Sequence, residues 1–125
     1  MHEFSICRDI LAAALEEYRA LDPAPKRLKA VRVVAGGMHQ IIPEYLATAY
    51  GILSRDTPAA GSKLDLVIKP VTGRCRECGW EGEIVPPFFQ CAACGALAID
   101  LMQGRELYLD RLEVEDHEHE RDQGL

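Results

Sequence analysis

The sequence predicts an α+β fold: a three-stranded sheet packed with two helices, with a small separate module inserted between the second and third strands. Three observations lead there. Two segments repeat apolar residues at three- and four-residue intervals, three others are β-branched or alternate in polarity, and a stretch rich in cysteine, glycine and proline separates the last two of these. At 125 residues with 48% hydrophobic and 27% charged side chains, the chain has the apolar content for a real core and the length of one domain plus an insertion.

The first helix is expected over residues 5 to 21, where Ile6, Ile10, Leu11, Ala14, Tyr18 and Leu21 mark one apolar face. Ser5 suits the N-cap, its hydroxyl accepting from a first-turn amide, which leaves Met1 to Phe4 outside. Asp22, Pro23 and Pro25 end the helix. Residues 28 to 35, LKAVRVVA, read as a strand with Arg32 toward solvent, stopped by Gly36 and Gly37. Pro43 and Glu44 suit the first turn of a second helix that Leu46, Ala49, Tyr50 and Leu53 continue to about Arg55. After the loop at 56 to 62, residues 64 to 69 alternate Leu64, Leu66 and Ile68 against Asp65 and Lys69, as a half-buried strand does. The last strand, 106 to 115, shifts its apolar parity from Leu107 and Leu109 to Leu112 and Val114, as a one-residue bulge would require. The expected organisation is a main domain of residues 1–70 and 105–115, an inserted module at 71–104, and an acidic tail at 116–125 that is expected to be disordered.

Charge excludes one class of partner. The net charge is −6; residues 113 to 125 hold six acids against Arg121, so the other 112 residues sum to about −1. A nearly neutral body with an acidic tail lacks the basic footprint that phosphate backbones require, so no nucleic-acid partner is expected. No apolar run reaches the roughly 18 residues of a membrane span, and acidic Glu3 and Asp9 stand where a signal peptide would be basic and apolar. The mature chain is expected to start at Met1, in the cytoplasm and without membrane attachment.

The strongest motif is Cys75-Arg-Glu-Cys78 followed after twelve residues by Cys91-Ala-Ala-Cys94. Two-residue spacing brings both thiolates of a turn within about 2.3 Å of one ion, and two such turns complete a tetrahedron around Zn²⁺. Gly79 and Gly95 follow each pair, where a left-handed backbone can turn amides toward the sulfurs. Four thiolates leave no open coordination position, so the zinc is expected to be structural and the module a zinc ribbon. Trp80, Ile84, Phe88 and Phe89 are read as its packing, and Cys7 as a small buried hydrophobe.

The N-terminus offers a weaker pattern with specific chemistry. The Met1 amine, the His2 amide nitrogen and the His2 imidazole can close adjacent five- and six-membered chelate rings in one plane, with a fourth donor from the amide or the carboxylate of Glu3. Ni(II) and Cu(II) prefer such tetragonal nitrogen and oxygen sets. A frayed, solvated terminus is the plainer alternative. His39 is either an additional metal ligand or a polar loop residue, and His117 and His119 belong to a solvated acidic tail.

Taken together, MHEFSI at the start, PEYLATAY, the CRECG and CAACG knuckles and GRELYLDRLEVE near the end resemble, in order, segments of the HypA/HybF nickel metallochaperones that serve [NiFe]-hydrogenase maturation. The resemblance spans nearly the whole chain. It implies a nickel-binding domain with an inserted zinc ribbon, nickel as cargo at Met1, His2 and Glu3, structural zinc on Cys75, Cys78, Cys91 and Cys94, and no catalytic turnover. The partners it implies are a HypB-type GTPase and a hydrogenase large subunit, with urease maturation as a family variation and a monomer or weak dimer as the working form. One departure is GGMHQIIPEY over residues 36 to 45, where many relatives carry an acidic or small polar residue after the first strand. A rival reading, a zinc-ribbon adaptor for protein or nucleic acid, uses the same four cysteines and gives His2 no role.

Overall fold

The computed structural model describes residues 2–117 as α1 (His2–Arg19), β1 (Arg27–Gly36), a 3-10 turn (Gly37–His39), α2 (Pro43–Leu53), β2 (Lys63–Lys69), β3 (Thr72–Cys75), β4 (Glu81–Glu83), β5 (Ile99–Gln103) and β6 (Leu107–Glu115). Two three-stranded sheets result, ordered β2-β1-β6 and β4-β3-β5. Among the described residues no helix is long and apolar enough to cross a membrane. The chain divides into two compact units: Met1–Val33, Ile42–Leu66 and Tyr108–Leu125 form one, while Val34–Ile41 and Val67–Leu107 form the other.

In the first unit, α1 and α2 pack together and bury Cys7, Ile10, Leu11, Ala14 and Leu15 from α1 with Leu46, Ala49 and Tyr50 from α2. Burial at intervals of three and four follows the 3.6-residue turn. β1 lies centrally in its sheet; Val31 and Val33 are fully buried, Leu28 nearly so, and the β-branched side chains fit a pleated surface covered by neighbours. β6 is an edge strand, half-buried at Leu109, Leu112 and Val114. The spacing of these three carries the parity shift that the sequence shows. In the loop after α2, Thr57 Oγ1 donates to the Ser54 carbonyl, and the Tyr50 and Ser62 hydroxyls lie 2.6 Å apart.

Three expectations need correction here. α1 begins at His2 rather than Ser5, so Ser5 is an interior position and the N-terminal residues that look frayed in sequence form the first helical turn. The reason is tertiary: the Glu3 carboxylate is buried and tied to the start of α2, which holds that turn in place. The helix also ends at Arg19, short of Leu21. Arg32 does not simply face solvent; its half-buried guanidinium lies with Nε 3.4 Å from Asp110 on β6.

The second unit is built on β3, with β4 and β5 antiparallel on its two sides. Thr72 opposes Gln103 and Gly73 opposes Leu101, so Met102 is an extra residue in the ladder and turns outward. Val34, Ala35, Val71, Ile84, Cys75 and Cys91 are among its buried side chains, and the Trp80 ring covers Gly82. Phe88, expected to pack the module, is 75% exposed. A tight turn joining Val85 to Phe88 swings the ring outward and leaves Phe89 half-buried in its place. Beside the 71–104 stretch marked by composition, the unit takes in Val34–Ile41 and residues 67–70 and 105–107. The Gly36 amide donates to the Glu106 carbonyl at 2.7 Å and the Met38 amide to the Gly104 carbonyl at 2.9 Å. Of the acidic tail, only Asp116 and His117 lie within the described residues; His119 does not.

Candidate functional site

Cys75 closes β3, Cys78 follows in its turn, and Cys91 and Cys94 lie on a second turn of the same form. In each, the amide of the first cysteine donates to the residue five positions on: Cys75 to the Trp80 carbonyl and Cys91 to the Ala96 carbonyl, both at 2.8 Å. In each, the glycine amide returns to the first cysteine, Gly79 to the Cys75 carbonyl and Gly95 to the Cys91 carbonyl, both at 3.0 Å. The glycines take φ of 81° and 78°, which a side chain would strain. The two knuckles are thus two copies of one turn.

All four sulfurs fall within 4.8 Å of one another, with Cys75 and Cys94 Sγ 3.7 Å apart and Cys78 and Cys91 Sγ 3.4 Å apart. A tetrahedron with Zn–S bonds of about 2.3 Å has edges of about 3.8 Å. The set fits a structural zinc. Cys75 and Cys91 are buried and Cys78 and Cys94 exposed, so one thiol of each turn anchors the site and the other closes it from outside. Burial opposes a charge on Cys91, but the amides of Cys94 and Ala93, each 3.3 Å from Sγ, outweigh it and bring the thiol down to about 6. Such amide donors suit a thiolate ligand. Zinc, when bound, would cross-link the two turns and carry out no chemistry of its own there.

At the other candidate site, α1 starts at His2, so the amides of His2 and Glu3 belong to a first turn that has no intrahelical acceptors for them. The His2 side chain is 52% exposed, and its Nδ1 lies 3.3 Å from Glu3 Oε1. The Glu3 carboxylate is only 4% exposed. Its Oε2 accepts the Ile42 amide at 3.2 Å, the position that caps α2 without help from its own side chain. That bond holds the Glu3 carboxyl below its ordinary value despite burial. Glu3 therefore fixes the start of α1 to the start of α2 and keeps His2 beside a carboxylate. Met1 lies outside the described residues.

His39 closes the 3-10 turn, half-buried, with Nε2 3.1 Å from the Arg105 carbonyl. The four cysteines are the only cluster of three or more such metal-ligating side chains among the described residues, and His39 is not gathered into one. Cys7 is 1% exposed, and burial pushes its thiol up to about 11. Sequence reasoning missed the Glu3–Ile42 bond, because a carboxylate that meets an amide 39 residues away leaves no local pattern.

Residues 1–114 match the family described as HypA, hydrogenase/urease nickel incorporation, metallochaperone. The chain belongs to the HypA family. Among its relatives, the hydrogenase maturation factor HypA of Crocosphaera subtropica is 34% identical over 116 residues, covering 93% of this chain and 97% of the relative. HypA of Solidesulfovibrio magneticus is 36% identical over 119 residues, covering 92% and 100%. The solution structure of the Ni metallochaperone HypA from Helicobacter pylori matches the fold with a TM-score of 0.57 at 21% identity, over 92% of this chain and 98% of that one. A second HypA solution structure matches with a TM-score of 0.61, also at 21% identity, over 91% and 96%. HypA is a maturation family, a nickel metallochaperone rather than a catalyst, which agrees with the reading from the sequence.

Proposed function

We propose that this chain captures Ni(II) at its N-terminus and delivers it to the large subunit of a [NiFe]-hydrogenase in the cytoplasm, working with a HypB-type GTPase. The ligands in this reading are the Met1 amine, the His2 amide and imidazole, and a donor from Glu3, while Cys75, Cys78, Cys91 and Cys94 hold the structural zinc. The observation that carries it is the position of His2 and Glu3 in the first turn of α1. There the first-turn amides have no intrahelical backbone acceptors, and the positive end of the helix favours their deprotonated form. Each amidate offsets one of the two charges of Ni(II). A planar set built on strong-field nitrogen donors accepts Ni(II) and excludes the tetrahedral preference of zinc, so cargo and structural ion are sorted by geometry.

The Glu3–Ile42 bond supports a division of roles within Glu3. Its carboxylate serves the helix junction, while the Met1 amine, the His2 amide and the His2 imidazole form the planar set and Glu3 supplies the remaining donor. His2 Nδ1 exchanges its Glu3 neighbour for the metal, which makes loading reversible and release cheap. His39 is proposed as a loop residue outside this set.

Calorimetry with native, zinc-loaded protein tests the reading. Equimolar tight Ni(II) binding is expected, lost on His2→Ala and equally lost when residues added before Met1 convert the amine to an amide. Zinc content stays at one ion per chain in all three proteins. Wild-type nickel affinity in the extended protein would refute the terminal site, and the zinc-ribbon adaptor would then be the better account.

A further inference from the structure

The edge strand β6 and the C-terminal half of α1 enclose a groove that the nickel reading does not use. Two contiguous cavities of about 550 and 620 Å³ run along it, sharing Leu21 and Val114 as walls. Leu109, Leu112 and Val114 supply an apolar floor from β6, and Leu21 stands 40% exposed above them. Because the sheet order ends at β6, the strand has a peptide edge without a neighbouring strand among the described residues. An open edge beside an apolar groove is the geometry that accepts an extended peptide as an additional strand, with alternate side chains entering the groove. From Leu109 to Glu115 the edge is about 23 Å long at roughly 3.3 Å per residue.

Charge selects the occupant. Glu17, Asp22 and Asp116 line the groove without an ion-pair partner among the described residues, against the single cation Arg111. Asp110, also in the lining, is already held by Arg32. A second copy of this chain would bring the same acids edge to edge, and residues 118 to 125 would add three more acids against Arg121. We infer that this groove receives a basic, extended segment of a partner protein, in which apolar and Lys or Arg residues alternate, as a fourth strand on β6. Its apolar side chains fill the groove under α1, and its cations face Glu17, Asp22 and Asp116. The site lies in the first unit and involves neither metal centre.

The test uses the full-length, zinc-loaded protein and three end-blocked octapeptides as probes: alternating valine and lysine, alternating valine and glutamate, and the valine–lysine peptide N-methylated at every second residue. Amide resonances along 109–115 and 13–21 are expected to shift saturably with the lysine peptide alone. Glu17→Lys with Asp116→Lys, both at solvent-exposed positions, should weaken that binding by about fivefold while leaving zinc content unchanged. Equal binding of the glutamate or N-methylated peptide, or shifts scattered over the surface, would overturn the inference. A chain ending at His117 that bound the lysine peptide far more tightly than the full chain would assign the groove to residues 118–125. A concentration-dependent dimer abolished by the same two substitutions would assign it to a second copy.

Discussion

Gly36→Ala is the substitution whose cost follows most directly from the close packing of β1 against the segment at Gly104. A Cβ built on Gly36 would stand 2.1 Å from both the carbonyl carbon and the carbonyl oxygen of Gly104, and 2.6 Å from Glu106 Oε1. Real Cβ contacts essentially never fall under 3.0 Å, so the two backbones must separate by at least 0.9 Å, the difference between 3.0 and 2.1 Å. The bond from the Gly36 amide to the Glu106 carbonyl, now 2.7 Å, would stretch to about 3.6 Å and cease to be one. The neighbouring bond from Met38 to Gly104 at 2.9 Å shares that approach and would go with it. Two backbone bonds at about 1 kcal/mol each, with overpacking strain of about 1 to 2 kcal/mol, give a destabilisation of about 3 to 4 kcal/mol. Urea unfolding with zinc kept saturating, followed by far-ultraviolet dichroism, measures it. A loss below about 1 kcal/mol would refute the reasoning, because the close approach would then be relieved without breaking either bond. The three atoms nearest the added Cβ belong to Gly104 and Glu106 rather than to a cysteine, so zinc stoichiometry should be unaffected.

Other expectations concern the two metal sites and the surface. Cys75→Ala or Cys91→Ala should release the zinc and abolish amide protection across β3, β4 and β5 while α1, α2 and β1 stay protected, since a thiolate-bound ion supplies much of a small ribbon's folding free energy; elemental analysis and hydrogen exchange read both effects. Glu3→Gln should destabilise the protein at neutral pH. Because the Glu3 carboxyl is depressed below 4.5, its contribution is complete above 4.5 and is lost as pH falls through the lower folded value, so the gap between variant and wild type closes in acid denaturation profiles. Phe88→Ser, at a ring 75% exposed, should change stability by less than about 0.5 kcal/mol in the same urea assay. Gel-shift assays at physiological salt should find no nucleic-acid binding, since the net charge is −6 and residues 1–112 sum to only about −1.

The elements legible in the sequence were those whose signal is local. Helical spacing through Ile10, Leu11 and Ala14 and the parity shift between Leu109 and Leu112 require only neighbours along the chain; the strand at 64 to 69 was legible too, but its alternation was not kept, since Ile68 is exposed while Asp65 and Lys69 are half-buried. The two knuckles are legible for the same reason, since residue spacing alone determines that each turn can reach one ion. What stayed hidden depends on distant parts of the chain. Glu3 holds α1 open to His2 only because Ile42 is there to donate, and Val34–Ile41 joins the ribbon unit only because Gly36 and Met38 find Glu106 and Gly104. Phe88 misleads because an aromatic in a small module is usually needed for packing, and here Ile84 and Trp80 already fill that role.

The burial of Cys7 has a consequence for a protein that handles a thiophilic metal. It lies on α1, five residues and so about 7.5 Å of helix from His2. With its thiol at about 11, roughly one molecule in ten thousand carries the thiolate at pH 7, against about one in a hundred for an ordinary cysteine at 9.0. In the proposed terminal site, an incoming Ni(II) would therefore meet imidazole and backbone nitrogen before it met sulfur. Opening the helix pair around Cys7, by truncating Leu46 for example, would create a competing trap, and nickel that is bound but no longer surrendered would be its signature.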